Sequence, residues 1–274
     1  MLKNILKISL ASILALGFIA CTDKKSEKAA EAKNETKKTI IKVGATPVPH
    51  VEILEIVKPL LKEKGYDLEI VEFTDYVTPN IAVDEGQLDA NFFQHMPYLT
   101  EFNKNKNTNL VKTVNVHLEP MGIYSKKIKS FDDLSDGATI AVPNDPTNES
   151  RALDILVKKG LLTFNDVMLK TVVDIKTNPK NLKIKELDAP QLPRVLDEVD
   201  AAIINTNYAL SANLNPVKDA LVIESKDSPY ANIVVVKAGN ENTDYIKALN
   251  EAINSDEVKK FIQEKYKGSI VEAF

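Results

Sequence analysis

From residue 39 onward the chain alternates short apolar runs with longer amphipathic segments. Thr39-Ile40-Ile41-Lys42-Val43-Gly44 reads as a strand entering a glycine turn. Val51, Leu54, Val57 and Leu61 recur at helical spacing, which predicts a helix over 50–64. Pro59 falls inside it and predicts a kink or a detached last turn. Further strands are expected at 68–73, 88–93, 110–117, 120–125 and 139–142, and near 169–175, 182–187, 200–204, 220–223 and 231–237. Helices are expected at 79–85, 148–159, 189–197, 206–213, 243–252 and 255–266. Such alternation predicts α/β architecture. The 236 residues from 39 onward suffice for two lobes and contain no repeat and no Pro/Gly-rich linker. Lobes without a linker are joined by strands that cross between them, here at 117–122 and 225–232, which favours a hinged cleft. Lobe 1 is then 39–118 with 231–274, and lobe 2 is 119–230.

The first residues follow another pattern. Lys3 and Lys7 precede an apolar run of 13 residues, Ile8 to Ala20. That run is too short to span a bilayer and has the form of a signal-peptide core, so residues 1–20 read as a signal peptide. It ends in Phe18-Ile19-Ala20-Cys21, which resembles a bacterial lipobox with Phe18 where Leu is usual. The resemblance implies cleavage before Cys21 and acylation of that residue. Acyl chains contribute about 0.8 kcal/mol per buried CH₂, so several of them hold a protein to a membrane. Residues 22–38 carry six Lys, four acidic residues and no large apolar side chain, and read as a flexible tether.

Composition narrows the picture. The 274 residues are 44% hydrophobic and 27% charged, which excludes collagen-like, wholly disordered and polytopic membrane classes. The single Cys rules out an internal disulfide and a multi-Cys zinc site. Formal charge is −4, but residues 1–38 hold eight Lys and four acids, so the remaining body is at −8. An acidic body without Trp argues against nucleic acid as a partner. Two of the 35 basic residues are Arg, at 151 and 194, so each Arg invites inspection.

Candidate chemistry sits at strand ends. After Pro143-Asn144-Asp145-Pro146, Arg151 lies in the expected first turn of a helix with Asn148 on the same face. Helix N-termini bind anions, and Arg grips a carboxylate in bidentate fashion. A surface pairing of Arg151 with Glu149 or Asp154 is the alternative. Phe92-Phe93-Gln94-His95 ends a strand, with Tyr76 in a preceding loop; one Phe should enter the core and one a pocket. Glu119 at the first crossing could accept an ammonium or pair with Lys. Asn205 and Asn207 follow the apolar run 201–204, where open α/β sheets bind ligands. His50, His95 and His117 lack metal-ligand spacing, and no P-loop, GxGxxG or GxSxG motif is present, so no metal, cofactor or catalytic pair is expected.

Several segments together carry a resemblance: 43–50 (VGATPVPH), 73–80 (FTDYVTPN), 91–95 (NFFQH), 119–122 (EPMG), 143–148 (PNDPTN), 151–153 (RAL), 204–209 (INTNYA) and 229–232 (PYAN). They resemble the methionine-binding lipoprotein family, the substrate-binding component of methionine ABC importers, in the same order over about 40–274. The resemblance implies a two-lobed periplasmic-binding-protein fold that closes on free L-methionine, with an ABC permease as partner. It implies that Arg151, supported by Asn148, binds the carboxylate, that Asn205 contacts the amino-acid backbone, and that Glu119 meets the ammonium. Tyr76, Phe93 and His95 would surround the thioether, which is soft and suits aromatic neighbours. A monomeric envelope lipoprotein facing the periplasm or the cell exterior is expected. D-methionine, a methionine derivative or another apolar amino acid remain open as ligands. An exported enzyme on the same fold lacks a catalytic pair here, and an adhesin would not need Tyr76, Arg151 and Asn205 to converge.

Overall fold

A computed structural model describes residues 39–225 and 229–274. The expected signal peptide, Cys21 and tether lie outside the described residues, as does the middle of the second expected crossing. In chain order the elements are β1 (Ile40–Ala45), α1 (Glu52–Glu63), β2 (Asp67–Glu72), α2 (Thr78–Asp84), β3 (Ala90–His95), α3 (Met96–Lys106) and β4 (Leu110–Leu118). Next come β5 (Gly122–Tyr124), β6 (Thr139–Pro143), α4 (Pro146–Lys158), β7 (Thr163–Phe164), β8 (Ile175–Thr177), β9 (Lys183–Leu187), β10 (Ala201–Ile204) and α5 (Thr206–Ser211). The chain ends with α6 (Pro216–Asp219), β11 (Val222–Ile223), β12 (Ala231–Lys237), α7 (Asp244–Ile253), α8 (Asp256–Tyr266) and β13 (Val271–Glu272).

Two sheets organise the two-lobed α/β fold. The first has strand order β13-β4-β12-β3-β1-β2, and the second β11-β5-β10-β6-β9. Strands β1, β2 and β3 are mutually parallel, and β12 returns antiparallel between β3 and β4. In the second sheet β9, β6 and β10 are parallel, and β5 is antiparallel to β10. The first sheet takes its strands from 40–118 and 231–272, the second from 122–223. The chain passes from one to the other between β4 and β5 and back between β11 and β12. Helices α1, α7 and α8 cover one face of the first sheet through Leu54, Val57, Leu249 and Ile262. In the second, α4 buries Leu153 and Leu156 against Ile140 and Ile203.

Several elements differ from the pattern-based expectation. Helix α1 runs unbroken through Pro59. The N–H that proline lacks would have met the Glu55 carbonyl, and both residues lie on the exposed face, where water can take that carbonyl. No strand spans 169–175. Instead β7 and β8 pair as a small antiparallel ribbon, with a turn of 3₁₀ helix at Val172–Asp174 before β8. The helix expected at 189–197 is 3₁₀ over Ala189–Val195, because Pro190 and Pro193 supply no N–H. Helix α3 had no counterpart in the pattern. Its apolar residues Tyr98, Leu99 and Phe102 are buried, but its second half is Asn and Lys, which masks the period.

Pro59→Ala restores a backbone donor in the interior of α1 and is expected to stabilise the protein by about 2 kcal/mol. Urea denaturation reads this directly, and an unchanged or lowered midpoint contradicts it.

Candidate ligand-binding site

The carboxyl ends of β3, β6 and β10 from the two sheets meet across one cavity, where parallel sheets place ligands. Strand alternation divides the two phenylalanines at the end of β3. Phe92 is wholly buried in the first core, while Phe93 lines the cavity. The next residue but one, His95, accepts the backbone N–H of Tyr98 at Nδ1 and so caps α3. That bond leaves the proton on Nε2, which donates to Asn148 Oδ1 at 3.2 Å.

Helix α4 begins earlier than expected, at Pro146, with Asp145 as its N-cap. Arg151 therefore lies in the second turn, not the first. The Asp145 carboxylate accepts the Asn148 backbone N–H, and both its oxygens lie within hydrogen-bond distance of the Asn148 side-chain amide nitrogen, at 3.0 and 2.9 Å. The helix end is thus occupied by its own acid, and the cationic group of the site is the Arg151 guanidinium. Arg151 is 3% exposed and does not pair with Glu149 or Asp154. Its Nε donates to both carboxylate oxygens of Glu224 at 3.1 Å, and its Nη2 donates to Glu224 and to the Glu119 carbonyl at 2.7 Å. Its face lies 4.2 Å from the Tyr230 ring centroid. These bonds leave the Nη1 end of the guanidinium without a hydrogen-bond partner among the described residues.

Asn205 follows β10. Its amide donates to Asn148 Oδ1 at 2.9 Å, while its own Oδ1 is buried without a partner among the described residues. An unpaired acceptor in a cavity wall is costly unless a ligand N–H fills it. Glu119 is buried, and its Oε1 lies 2.7 Å from His117 Nε2 and 3.2 Å from His50 Nε2. Tyr76 stacks on Phe93 at 5.8 Å and meets Tyr98 edge-on at 5.9 Å, and its hydroxyl donates to Asn207 Oδ1 at 2.6 Å.

The structure brings all seven residues singled out in the sequence into the lining of this one cavity: Tyr76, Phe93, His95, Glu119, Asn148, Arg151 and Asn205. Gln94, Tyr98, Thr206, Asn207 and Asn232 complete the lining. Asn207 was a weaker sequence candidate, and the other four were not singled out. Asn232 sits at the second crossing and ends the 229–232 segment, which were its available signals. The space between these residues, open solvent included, is about 340 Å³.

A family profile matches residues 41–274, and its description is the NlpA lipoproteins. The chain belongs to the NlpA lipoprotein family. It is 44% identical over 239 residues to the D-methionine-binding lipoprotein MetQ of Escherichia coli, covering 85% of this chain and 88% of that one. It is 46% identical over 245 residues to the methionine-binding lipoprotein MetQ of Bacillus subtilis, covering 86% of this chain and 89% of that one. A solved nutrient-binding protein from Burkholderia cenocepacia, bound to methionine, superposes with a TM-score of 0.84 at 49% identity. It covers 85% of this chain and all of that one. The family indicated by the sequence motifs is therefore the chain's own, and no helix among the described residues is long and apolar enough to cross a membrane.

In this NlpA-family cavity, burial governs the titrating groups. Burial, and then the Arg151 charge, lower the His95 imidazole to about 3. Burial lowers His117 to about 3 and His50 to about 4, the latter against the pull of Glu119. Burial raises the Glu119 carboxyl, opposed by His50 and Arg151. The Tyr76 hydroxyl is raised well above its ordinary value for the same reason and stays a neutral donor. His50, His117 and Glu119 also place three metal-ligating atoms within 4.8 Å of one another, a meeting that their sequence spacing did not reveal.

The lowered histidines make a direct prediction. The ring resonances of His50, His95 and His117, followed by proton–carbon NMR, stay fixed as pH falls from 8 to about 5.5, since an unperturbed imidazole titrates near 6.5. A midpoint near that value for any of them contradicts the burial argument.

Proposed function

We propose that this protein is a lipid-anchored substrate-binding protein that captures free L-methionine in this cavity and delivers it to an ABC permease. The observation that carries the reading is the convergence of opposite recognition groups in one buried space. The Arg151 guanidinium offers its Nη1 end to a carboxylate. Glu119 and the unpaired Asn205 Oδ1 offer acceptors to an ammonium. A zwitterionic amino acid satisfies both at once, and each charge-assisted bond is stronger than a neutral one. The third wall is aromatic, built from Tyr76, Phe93 and Tyr98 with centroids 5.8–6.0 Å apart. A thioether packs against ring edges without needing a hydrogen-bond partner. The methionine in the names of the relatives agrees with this chemistry.

In this reading lobe 1 (39–118 and 231–274) and lobe 2 (119–230) close over the ligand. Tyr76 to Asn207 and His95 to Asn148 are the latching hydrogen bonds. Acylated Cys21 and the tether 22–38 keep a monomeric body at the membrane surface. The site needs no cofactor, and it contains recognition groups without a nucleophile and base pair, so capture rather than turnover is its task.

Isothermal titration of protein stripped of bound amino acid tests the reading. L-methionine binds at micromolar concentration, and D-methionine binds at least about tenfold more weakly, a difference of ~1.4 kcal/mol. Absence of heat with L-methionine sinks the proposal, and equal binding of the two removes the stereochemical part. Arg151→Lys keeps a cation for Glu224 but loses the fork, and is expected to weaken methionine binding by at least tenfold, or about 1.4 kcal/mol. Unchanged affinity takes Arg151 out of the site. Cys21→Ser is expected to move the protein from the membrane to the soluble fraction, and persistent membrane association argues against the anchor.

A further inference from the structure

Glu119 is held in an arrangement that carboxylate recognition of an ammonium does not by itself require. Two imidazoles converge on one of its oxygens. His117 Nε2 lies 2.7 Å and His50 Nε2 3.2 Å from Oε1, and both rings are at most 1% exposed. The rings come from distant parts of the first lobe. His117 is near the end of β4, beside Asn232 of β12, and His50 lies in the turn before α1. Phe92 fixes both rings through edge contacts, with centroids 4.7 Å from His50 and 5.3 Å from His117. The Thr46 hydroxyl bonds His50 Nδ1 at 2.7 Å, and Asn232 Oδ1 lies 3.0 Å from His50 Nε2.

The tautomers follow from these partners. With the Thr46 hydroxyl donating to Nδ1, His50 carries its proton on Nε2 and has two acceptors within reach. His117 Nδ1 has no partner among the described residues, so a proton placed there would be a stranded buried donor. The proton therefore belongs on Nε2, facing Glu119. The same point weighs against a metal ion. A metal on His117 Nε2 would force the proton to Nδ1, whereas ligating histidines donate their second N–H to an outer partner. The cluster is built to present N–H groups to a carboxylate.

Neutral donors have a particular value here. A buried carboxylate needs hydrogen bonds to remain ionised. Lysine or arginine would supply them but would also cancel the charge that attracts a ligand ammonium. Two neutral imidazoles, together with a hydrogen bond from the Asn207 backbone, hold the rotamer and stabilise the anion without adding a positive charge of their own. We propose that His50 and His117 are positioning residues for ammonium recognition, orienting the Glu119 carboxylate without themselves pairing its charge. The proposal rests on the reading of the cavity as an amino-acid site with Glu119 at its ammonium end.

The test compares L-methionine with its des-amino analogue, methylthiobutanoate, which keeps the carboxylate and thioether. Titration calorimetry is run on the full mature body and on His117→Phe, His117→Gln and His50→Gln. The glutamine amide reaches about as far as Nε2 and can still donate. A hydrogen bond to a charged group is worth ~1.5–3 kcal/mol, so His117→Phe is expected to lose about tenfold or more in methionine affinity. Its affinity for the des-amino analogue stays within about twofold, and both glutamine variants keep most of the preference for the amino-bearing ligand. Equal losses for the two ligands in His117→Phe leave the preference unchanged, show a packing role and overturn the proposal. If His117→Phe does not fold, His50→Phe takes its place: a loss confined to methionine supports the proposal, and equal losses for methionine and the analogue overturn it. Tight Zn²⁺ binding by the wild type that His117→Phe abolishes also overturns it, in favour of a metal site. Wild-type protein that binds neither ligand overturns the amino-acid reading itself, a result distinct from all of these.

Discussion

One guanidinium joins the two places where the chain passes between its sheets. Arg151 bonds the carbonyl of Glu119 at the first passage and the carboxylate of Glu224 at the start of the second. Glu224 in turn accepts the backbone N–H of Met121 at 3.1 Å, so both passages and α4 share a single buried knot. Burying such a pair costs several kcal/mol per ion in desolvation, and removing one partner alone typically costs about 3–5 kcal/mol. The pair therefore specifies geometry more than it adds stability. It holds the guanidinium immobile with one edge committed, so whatever anion meets the other edge meets a preorganised donor.

The rest of the cavity is arranged around that fixed point. Asp145 caps α4 and anchors Asn148, and Asn148 Oδ1 receives protons from both His95 and Asn205. This polar chain joins the carboxyl ends of β3 and β10 through the first turn of α4. On the opposite side the Glu119 side chain is held by histidines of the first lobe, while its backbone carbonyl is held by Arg151 of the second. The two halves of an amino-acid backbone would thus be recognised by groups anchored in different lobes. Under the proposed function, ligand binding would couple to lobe closure, since a ligand shifts a population by as much as its contacts differ between the two states.

Much of this was legible in the chain and some was not. Aromatics at a strand end, an Arg after a proline-bracketed turn, and Asn after an apolar run are local signals. All of them led to residues that line the same cavity. The start of α4 was misplaced by two residues because Pro146 can open a helix as readily as delay one. Glu224 carried no signal, since a lone acid in a loop reads as solvated surface. Helix α3 was hidden by its polar second half. Pro59 suggested a break that the exposed backbone around it tolerates.

By itself the sequence determined the alternation of strands and helices, the membership of the NlpA family, and which residue types stand at strand ends. Periodicity reports which side of an element is buried, and that depends on neighbours three or four positions away. The tertiary structure decided who meets whom. His50 reaches Asn232 across 182 residues, and Arg151 reaches Glu224 across 73. The first meeting depends on β12 returning between β3 and β4, and the second on β11 pairing beside β5, choices of sheet order that no local pattern encodes. Partner identity in turn sets whether a buried charge is paired, which proton an imidazole carries, and which edge of a guanidinium is left for a ligand.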